Sequence, residues 1–114
     1  MIEPIPDDIR PLSRVLVETE RWLVGVPRTY WAMAWWGAFT DWCVASDDGA
    51  FGMYVRQGPL IVFRPREGGA RWLLHPATGE FRNRDNKRAS WRGFLMRNPE
   101  VSDGVMAALA TQSL

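Results

Sequence analysis

Residues 59–75 read Pro59-Leu60-Ile61-Val62-Phe63, then a turn over residues 64–70 that contains Gly68-Gly69, then Arg71-Trp72-Leu73-Leu74-His75. The two flanking runs are rich in β-branched and aromatic residues, which favour strands, and the glycines favour a reversal between them. A second turn over residues 76–79 leads into Glu80-Phe81-Arg82, a third short strand. The centre of the chain is therefore predicted to form a short antiparallel sheet.

Helices and one more strand are predicted on the N-terminal side of this sheet. Apolar residues recur at three- and four-residue spacing from Leu12 to Leu23, which predicts an amphipathic helix over residues 9–24. Thr29 is suited to cap a helix over residues 30–36 that Gly37 closes. Residues 39–45 predict a short strand, and a turn at 46–49, where Ser46 or Asp47 is the cap, leads into a helix over residues 50–57.

Two helices are predicted on the C-terminal side. Ser90 is a favourable N-cap for a helix over residues 91–97. Asn98 is predicted to cap a further helix that has Pro99 at its first position. The predicted fold class is α+β, with a short antiparallel sheet of three to four strands and helices on one face. We expect a single domain over residues 1–114, with residues 1–8 flexible.

Composition excludes several classes of protein. With 46% hydrophobic and 24% charged residues, the 114-residue chain has the balance of a soluble globular domain and not of a disordered tail or a coiled coil. No apolar run reaches membrane-spanning length and the N-terminus lacks a signal-peptide pattern, so we expect a cytoplasmic protein with no membrane partner. One cysteine and one histidine predict neither a disulfide framework nor a metal site, and no cofactor is indicated.

Positive charge is concentrated in the second half of the chain. Residues 56–97 carry ten basic and three acidic residues, a balance of +7 within a chain of net charge +1. Such an excess predicts contact with nucleic acid or an acidic partner, although a solvated face is the alternative interpretation. No known DNA- or RNA-binding motif surrounds these residues. The candidate binding residues are Arg64, Arg66, Arg71, Arg82, Arg84, Lys87 and Arg88.

Aromatic residues are the second unusual feature, with seven tryptophans in the chain. Four of them fall within residues 31–42, where they form either core or an interface at which tryptophan contributes much of the binding energy. Trp31 and Trp35 are the candidates for partner binding in the second interpretation.

Cys43 and His75 are the one pair able to form a thiol–imidazole couple. A nucleophilic cysteine needs a lowered pKa and a base within reach. Cysteine is also among the residues that most often serve as small buried hydrophobes, so a structural role is the alternative for Cys43. The pair is a weak catalytic candidate.

Residues 27–90 carry a pattern that is similar to a known type of domain. Its pieces are Thr40-x-Trp42-Cys43-x-Ala45, then Phe51-x-x-Tyr54-x-x-x-Gly58-Pro59-Leu60, then Trp72-x-x-His75, then Gly79-Glu80-Phe81 with Asp85. The pattern resembles a small domain of bacteriophage, prophage and mobile-element proteins, with a similar segment in PcfJ-like proteins of conjugative plasmids. The chain departs from it at Val44, where threonine is usual, and at residues 84–86, where basic residues flank the acidic turn.

The resemblance implies a context and not an assigned activity. Phage and mobile-element accessory proteins of this size often bind and inhibit a host system, such as a CRISPR effector. Three functions therefore stay open: an inhibitor that binds a host protein or nucleoprotein complex, a nucleic-acid or nucleotide-binding module that uses the basic stretch 56–97, and a small Cys/His enzyme.

Overall fold

The structure is a computed structural model and describes residues 3–112 and 114. The strands are β1 (Ser13–Glu18), β2 (Trp22–Pro27), β3 (Ile61–Pro65), β4 (Trp72–His75) and β5 (Glu80–Asn83). The helices are α1 (Tyr30–Trp36), α2 (Asp48–Gln57), α3 (Trp91–Arg97) and α4 (Pro99–Thr111). Short 3₁₀ turns lie at Arg10–Leu12 and Cys43–Ala45.

The five strands form one antiparallel sheet in the order β1-β2-β3-β4-β5, so each strand pairs with its neighbour in sequence. Val24 lies opposite Phe63, Phe63 opposite Trp72, and Trp72 opposite Asn83. The helices α1 and α2 belong to the connection between β2 and β3, and α3 and α4 follow β5. Because side chains alternate between the two faces of a strand, this register decides which residues meet each pair of helices.

One face of the sheet packs against α1 and α2. Trp36 of α1 is fully buried there, and its Nε1 donates a hydrogen bond to Ser13 Oγ at 2.8 Å. A Cβ on Gly25 of β2 would lie 2.6 Å from the Trp36 ring, so this contact requires glycine. The buried core on this side consists of Ile5, Ile9, Leu23, Ala32, Met33, Trp36, Trp42, Val44, Phe51, Leu60, Val62 and Leu73.

The opposite face packs against α3 and α4 and is dominated by aromatic rings. Phe94 of α3 is buried, and its ring centroid lies 4.9 Å from that of Trp72 and 5.1 Å from that of Phe63. The buried core on this side consists of Val17, Trp22, Val24, Val26, Ile61, Phe63, Leu74, Phe81, Phe94, Val101 and Val105. Helices therefore cover both faces of the sheet, and the prediction that they cover one face is wrong.

The first 27 residues also differ from the prediction. The helix predicted over residues 9–24 is instead the hairpin of β1 and β2, with residues 19–21 as its turn. The valines of this segment favour extended backbone, and β2 is buried along its whole length because it lies inside the sheet. The apolar residues of β2 are therefore consecutive because both faces of the strand are buried, and their three- and four-residue spacing with the residues of β1 is a coincidence.

The α+β class with an antiparallel sheet is confirmed, but the sheet has five strands, not three to four. The strand predicted over residues 39–45 is wrong, because this segment holds a turn and the 3₁₀ turn Cys43–Ala45. The helices at 30–36, 50–57 and 91–97 and the three central strands are confirmed to within two residues. Thr29, Asp47 and Ser90 cap α1, α2 and α3 as predicted, each accepting a backbone N–H. Asn98 lies at the N-cap position of α4, but its side chain donates to Phe94 O and does not accept from α4, so the predicted side-chain cap is wrong. The predicted flexible segment 1–8 includes Met1 and Ile2, which lie outside the described residues, and Ile5, which is buried.

Candidate functional site

A cavity of about 110 Å³ opens where the ends of β4 and β5 meet α2 and the 3₁₀ turn Cys43–Ala45. Its inner wall is apolar, and its outer wall carries a thiol, a phenol, a carboxylate and a guanidinium. The cavity is lined by Trp42, Cys43, Val44, Tyr54, Leu60, Leu73, His75, Glu80, Arg82 and Asn86. The fold thus brings both weak catalytic candidates, Cys43 and His75, to one place.

His75 ends β4 and is 1% exposed. Its Nε2 lies 3.0 Å from the carbonyl oxygen of Tyr54, and its Nδ1 lies 2.9 Å from Thr78 Oγ1. Because a carbonyl oxygen can only accept, Nε2 donates to it, and in the neutral imidazole this leaves Nδ1 to accept from the threonine hydroxyl. The Tyr54 ring meets the imidazole edge to face, with centroids 5.0 Å apart. Both nitrogens are therefore occupied, which favours a role for His75 in fixing α2 against the sheet.

Cys43 begins the 3₁₀ turn and its side chain is exposed at the mouth of the cavity. The phenol of Tyr54 lines the same cavity. In the described geometry His75 has no free nitrogen to take a proton from Cys43. The catalytic dyad stays a prediction, and its simplest test is whether Cys43→Ser retains the biological effect.

On the outer wall, Glu80 accepts hydrogen bonds from both Tyr54 and Arg82. Glu80 Oε2 accepts from the Tyr54 hydroxyl at 3.4 Å and from Arg82 Nε at 3.3 Å. Arg82 Nη1 donates to the carbonyl oxygen of Asn86 at 3.0 Å. Burial, followed by the charge of Glu80, raises the pKa of Tyr54, so the phenol is protonated at neutral pH. Tyr54 was missed as a site residue. Its signal in the sequence is its spacing, because a residue three positions after Phe51 lies on the same side of the helix.

Residues 82–88 form the basic turn, which runs along this outer wall toward α3. Asn83 Oδ1 accepts the backbone N–H groups of Asp85 and Lys87, and Asn86 adopts the left-handed conformation at φ 60°. Arg84, Lys87 and Arg88 are exposed. Among the described residues, none of these three cations forms an ion pair with a carboxylate.

The other predicted binding residues are spread over the molecule. Arg64 and Arg71 are buried at the end of the sheet opposite His75, and Arg66 lies at the β1–β2 turn, where its Nη1 donates to Thr19 O at 2.9 Å. Trp31 is 64% exposed, whereas Trp35 is half-buried beneath the guanidinium of Arg64. The basic stretch 56–97 therefore does not form one surface, because alternation in the strands and the hairpin turns separate its arginines.

Among residues 3–112 and 114, no group of histidine, cysteine and acidic side chains is arranged to hold a metal ion. No helix in that part of the chain has the length and hydrophobicity needed to cross a membrane. Comparison with known proteins found no matching family model, no matching curated protein and no matching solved structure.

Proposed function

We propose that this domain is a phage- or mobile-element-encoded interaction protein that binds and inhibits a host nucleoprotein complex, such as a CRISPR effector. The basic turn is its principal contact. The observation that carries the proposal is that Arg84, Lys87 and Arg88 are exposed within five residues and form no ion pair among the described residues.

The electrostatics of the basic turn support an anionic partner. Cations that already have an acidic neighbour contribute little to binding a second anion, whereas unpaired cations displace counterions from phosphates as they bind. The hydrogen bonds that Asn83 accepts hold the turn in one conformation, so little conformational entropy is lost on binding.

Exposed aromatic side chains support a protein component in the partner. Trp31 is 64% exposed, and Phe39 is 83% exposed with φ 63°. A bulky residue in the left-handed conformation is strained by about 1 kcal/mol or more, and such strain is more frequent at functional sites than elsewhere. Large exposed aromatics of this kind are the side chains that interfaces bury at their centres.

The test is an affinity capture from a bacterial lysate with three tagged baits: wild type, Lys87→Glu/Arg88→Glu, and the charge-matched control Arg56→Glu/Arg97→Glu. Each lysate is split into nuclease-treated and untreated halves and analysed by mass spectrometry. We expect wild type and control to recover one host complex in both halves and the first variant to lose it.

Equal recovery by all three baits would overturn the role of the basic turn. Recovery confined to the untreated half would replace the inhibitor with the nucleic-acid-binding module as the function of this surface. Once the target is purified, the slope of log affinity against log salt should fall by about 2 in Lys87→Gln/Arg88→Gln, since two phosphate contacts are removed.

A further inference from the structure

Three arginines lie side by side at the end of the sheet opposite His75. Arg64 is in β3, Arg71 directly precedes β4 and Arg84 directly follows β5. Phe63 pairs with Trp72 and Trp72 with Asn83, so the next residues along these strands are neighbours across the sheet. Strand alternation places the three on the face that packs against α1 and α2, two residues from Val62, Leu73 and Arg82 respectively. We name them the arginine row.

Arg71 is the central member of the row and is 4% exposed. Its Nη1 donates to its neighbour's carbonyl, Ala70 O, at 3.0 Å, and its buried Nε has no hydrogen-bond partner. Among the described residues no carboxylate forms an ion pair with it. Buried guanidinium groups are normally paired and hydrogen-bonded, because an uncompensated buried charge is costly. Arg71 therefore has an unsatisfied donor and an unpaired charge in a buried position, where each lowers the stability of the fold.

The neighbours of Arg71 increase this imbalance. Burial, together with the positive charges of Arg64 and Arg84, lowers the pKa of Arg71 to about 10, while Glu3 acts in the opposite direction. Arg84 is exposed, and its Nη1 donates to Gly69 O at 3.2 Å. Three positive charges therefore stand beside one another, and among the described residues one carboxylate forms an ion pair with them.

That carboxylate belongs to Glu3, in the segment before the first 3₁₀ turn. Glu3 Oε2 accepts from Arg64 Nη2 at 2.6 Å, while Arg64 Nη1 donates to Trp35 O at 3.1 Å. The guanidinium of Arg64 also stacks 3.9 Å above the Trp35 ring, which fixes its plane. Arg64 is buried but the Glu3 side chain is 55% exposed, so the anionic half of the pair is the half that can leave.

We propose that the arginine row is a binding site for a phosphate monoester, and that Glu3 occupies part of this site in the unbound protein. Once Glu3 has left, the row carries three positive charges, and a phosphate monoester, with about −1.5 to −2 at neutral pH, balances more of them than the single charge of Glu3 does. Its oxygens accept several charge-assisted hydrogen bonds from guanidinium groups, whereas a carboxylate offers half that charge. The inference rests on Arg64, Arg71 and Glu3 and does not depend on the proposed function. Arg84 belongs to both the row and the basic turn, whereas Lys87 and Arg88 take no part in the row.

The test is a titration of the isotope-labelled protein with inorganic phosphate, monitored through the arginine Nε–Hε signals by NMR at constant ionic strength. Signals are assigned with Arg64→Gln and Arg71→Gln. We expect a saturable shift of the Arg71 signal in wild type. We expect roughly tenfold tighter binding in Glu3→Gln, because the competing charged hydrogen bond is removed.

Two comparisons make the result specific. Arg71→Lys keeps the charge but loses the planar pair of donors, so phosphate should bind it several-fold more weakly even though it folds. Lys87→Gln/Arg88→Gln should bind phosphate as wild type does, which separates this site from the basic turn. The proposal is overturned if chloride shifts Arg71 as phosphate does, if Glu3→Gln shows no saturable shift, or if the phosphate response survives in Arg71→Gln.

Discussion

The face of the sheet under α3 and α4 buries rings and aliphatic side chains, whereas the face under α1 and α2 also buries Arg64, Arg71 and His75, the buried polar side chains of the described residues. Apolar side chains buried on the first face stabilise the fold without needing a hydrogen-bond or ion-pair partner. Each polar group on the second face needs a partner to be stable there. His75 has partners for both ring nitrogens and Arg64 pairs with one exposed carboxylate, whereas Arg71 has no ion pair among the described residues and its Nε has no hydrogen-bond partner. The first face therefore serves stability, and the second is where we place recognition.

The largest effect is expected on the aromatic face. Phe94→Ala removes a buried ring that contacts the rings of Trp22, Phe63, Trp72, Phe81 and Trp91. We expect the free energy of unfolding to fall by about 3–5 kcal/mol, measured by urea denaturation. A loss below about 1 kcal/mol would contradict the view that these ring contacts stabilise the fold.

The second effect concerns the close contact on the other face. Gly25→Ala places a methyl group 2.6 Å from the Trp36 ring and should lower the free energy of unfolding by about 1–3 kcal/mol. Gly52→Ala is the control, since its Cβ would meet its nearest neighbour at 3.7 Å in the interior of α2. That variant should be about 0.5–1 kcal/mol more stable than wild type, so equal losses in both would contradict the contact.

The third effect has the opposite sign. Arg71→Met keeps most of the side-chain volume and removes a buried guanidinium without an ion-pair partner among the described residues. We expect stability in phosphate-free buffer to rise by about 1 kcal/mol, visible as a higher urea midpoint with an unchanged slope. A clear loss of stability would mean that the arginine stem and its bond to Ala70 outweigh the cost of the charge.

The smallest effect is expected outside both faces, at the exposed pair of Arg10 and Glu18. The hydrogen bond from Arg10 lowers the pKa of Glu18, so its contribution to stability is present at neutral pH and is lost as pH falls below the ordinary value of 4.5. Arg10→Gln should cause a small decrease in Tm at pH 7. That difference should vanish under acid conditions, and a difference independent of pH would assign it to packing.

Prediction from sequence succeeded where local signals agree with the tertiary structure. Thr29, Asp47 and Ser90 are short-range caps, and the run Ile61-Val62-Phe63 is β-prone wherever it lies. It failed for residues 13–27, because β2 is buried on both faces and shows no alternation. Whether Ser13 and Trp36 would meet depends on the sheet register, which no local pattern contains.

The candidate site was predicted less completely than the fold. Cys43 and His75 were singled out from their chemistry, and their common cavity depends on how α2 packs against the sheet. Arg64 and Arg71 of the positive stretch were predicted as candidate binding residues, and both are buried. Arg64 continues a run of buried β3 residues, and this was the signal that it would lie inside.

The strand order has a consequence for how the chain folds. All four strand pairings join strands that are consecutive in sequence, and three of them close across short turns. The pairing of β2 with β3 alone must enclose the connection over residues 28–60, which contains α1 and α2. Closing a longer connection costs more conformational entropy, and pairing between distant segments is slow. The pairing of β2 with β3 should therefore limit the folding rate, after the β1–β2 hairpin and the β3-β4-β5 meander have formed.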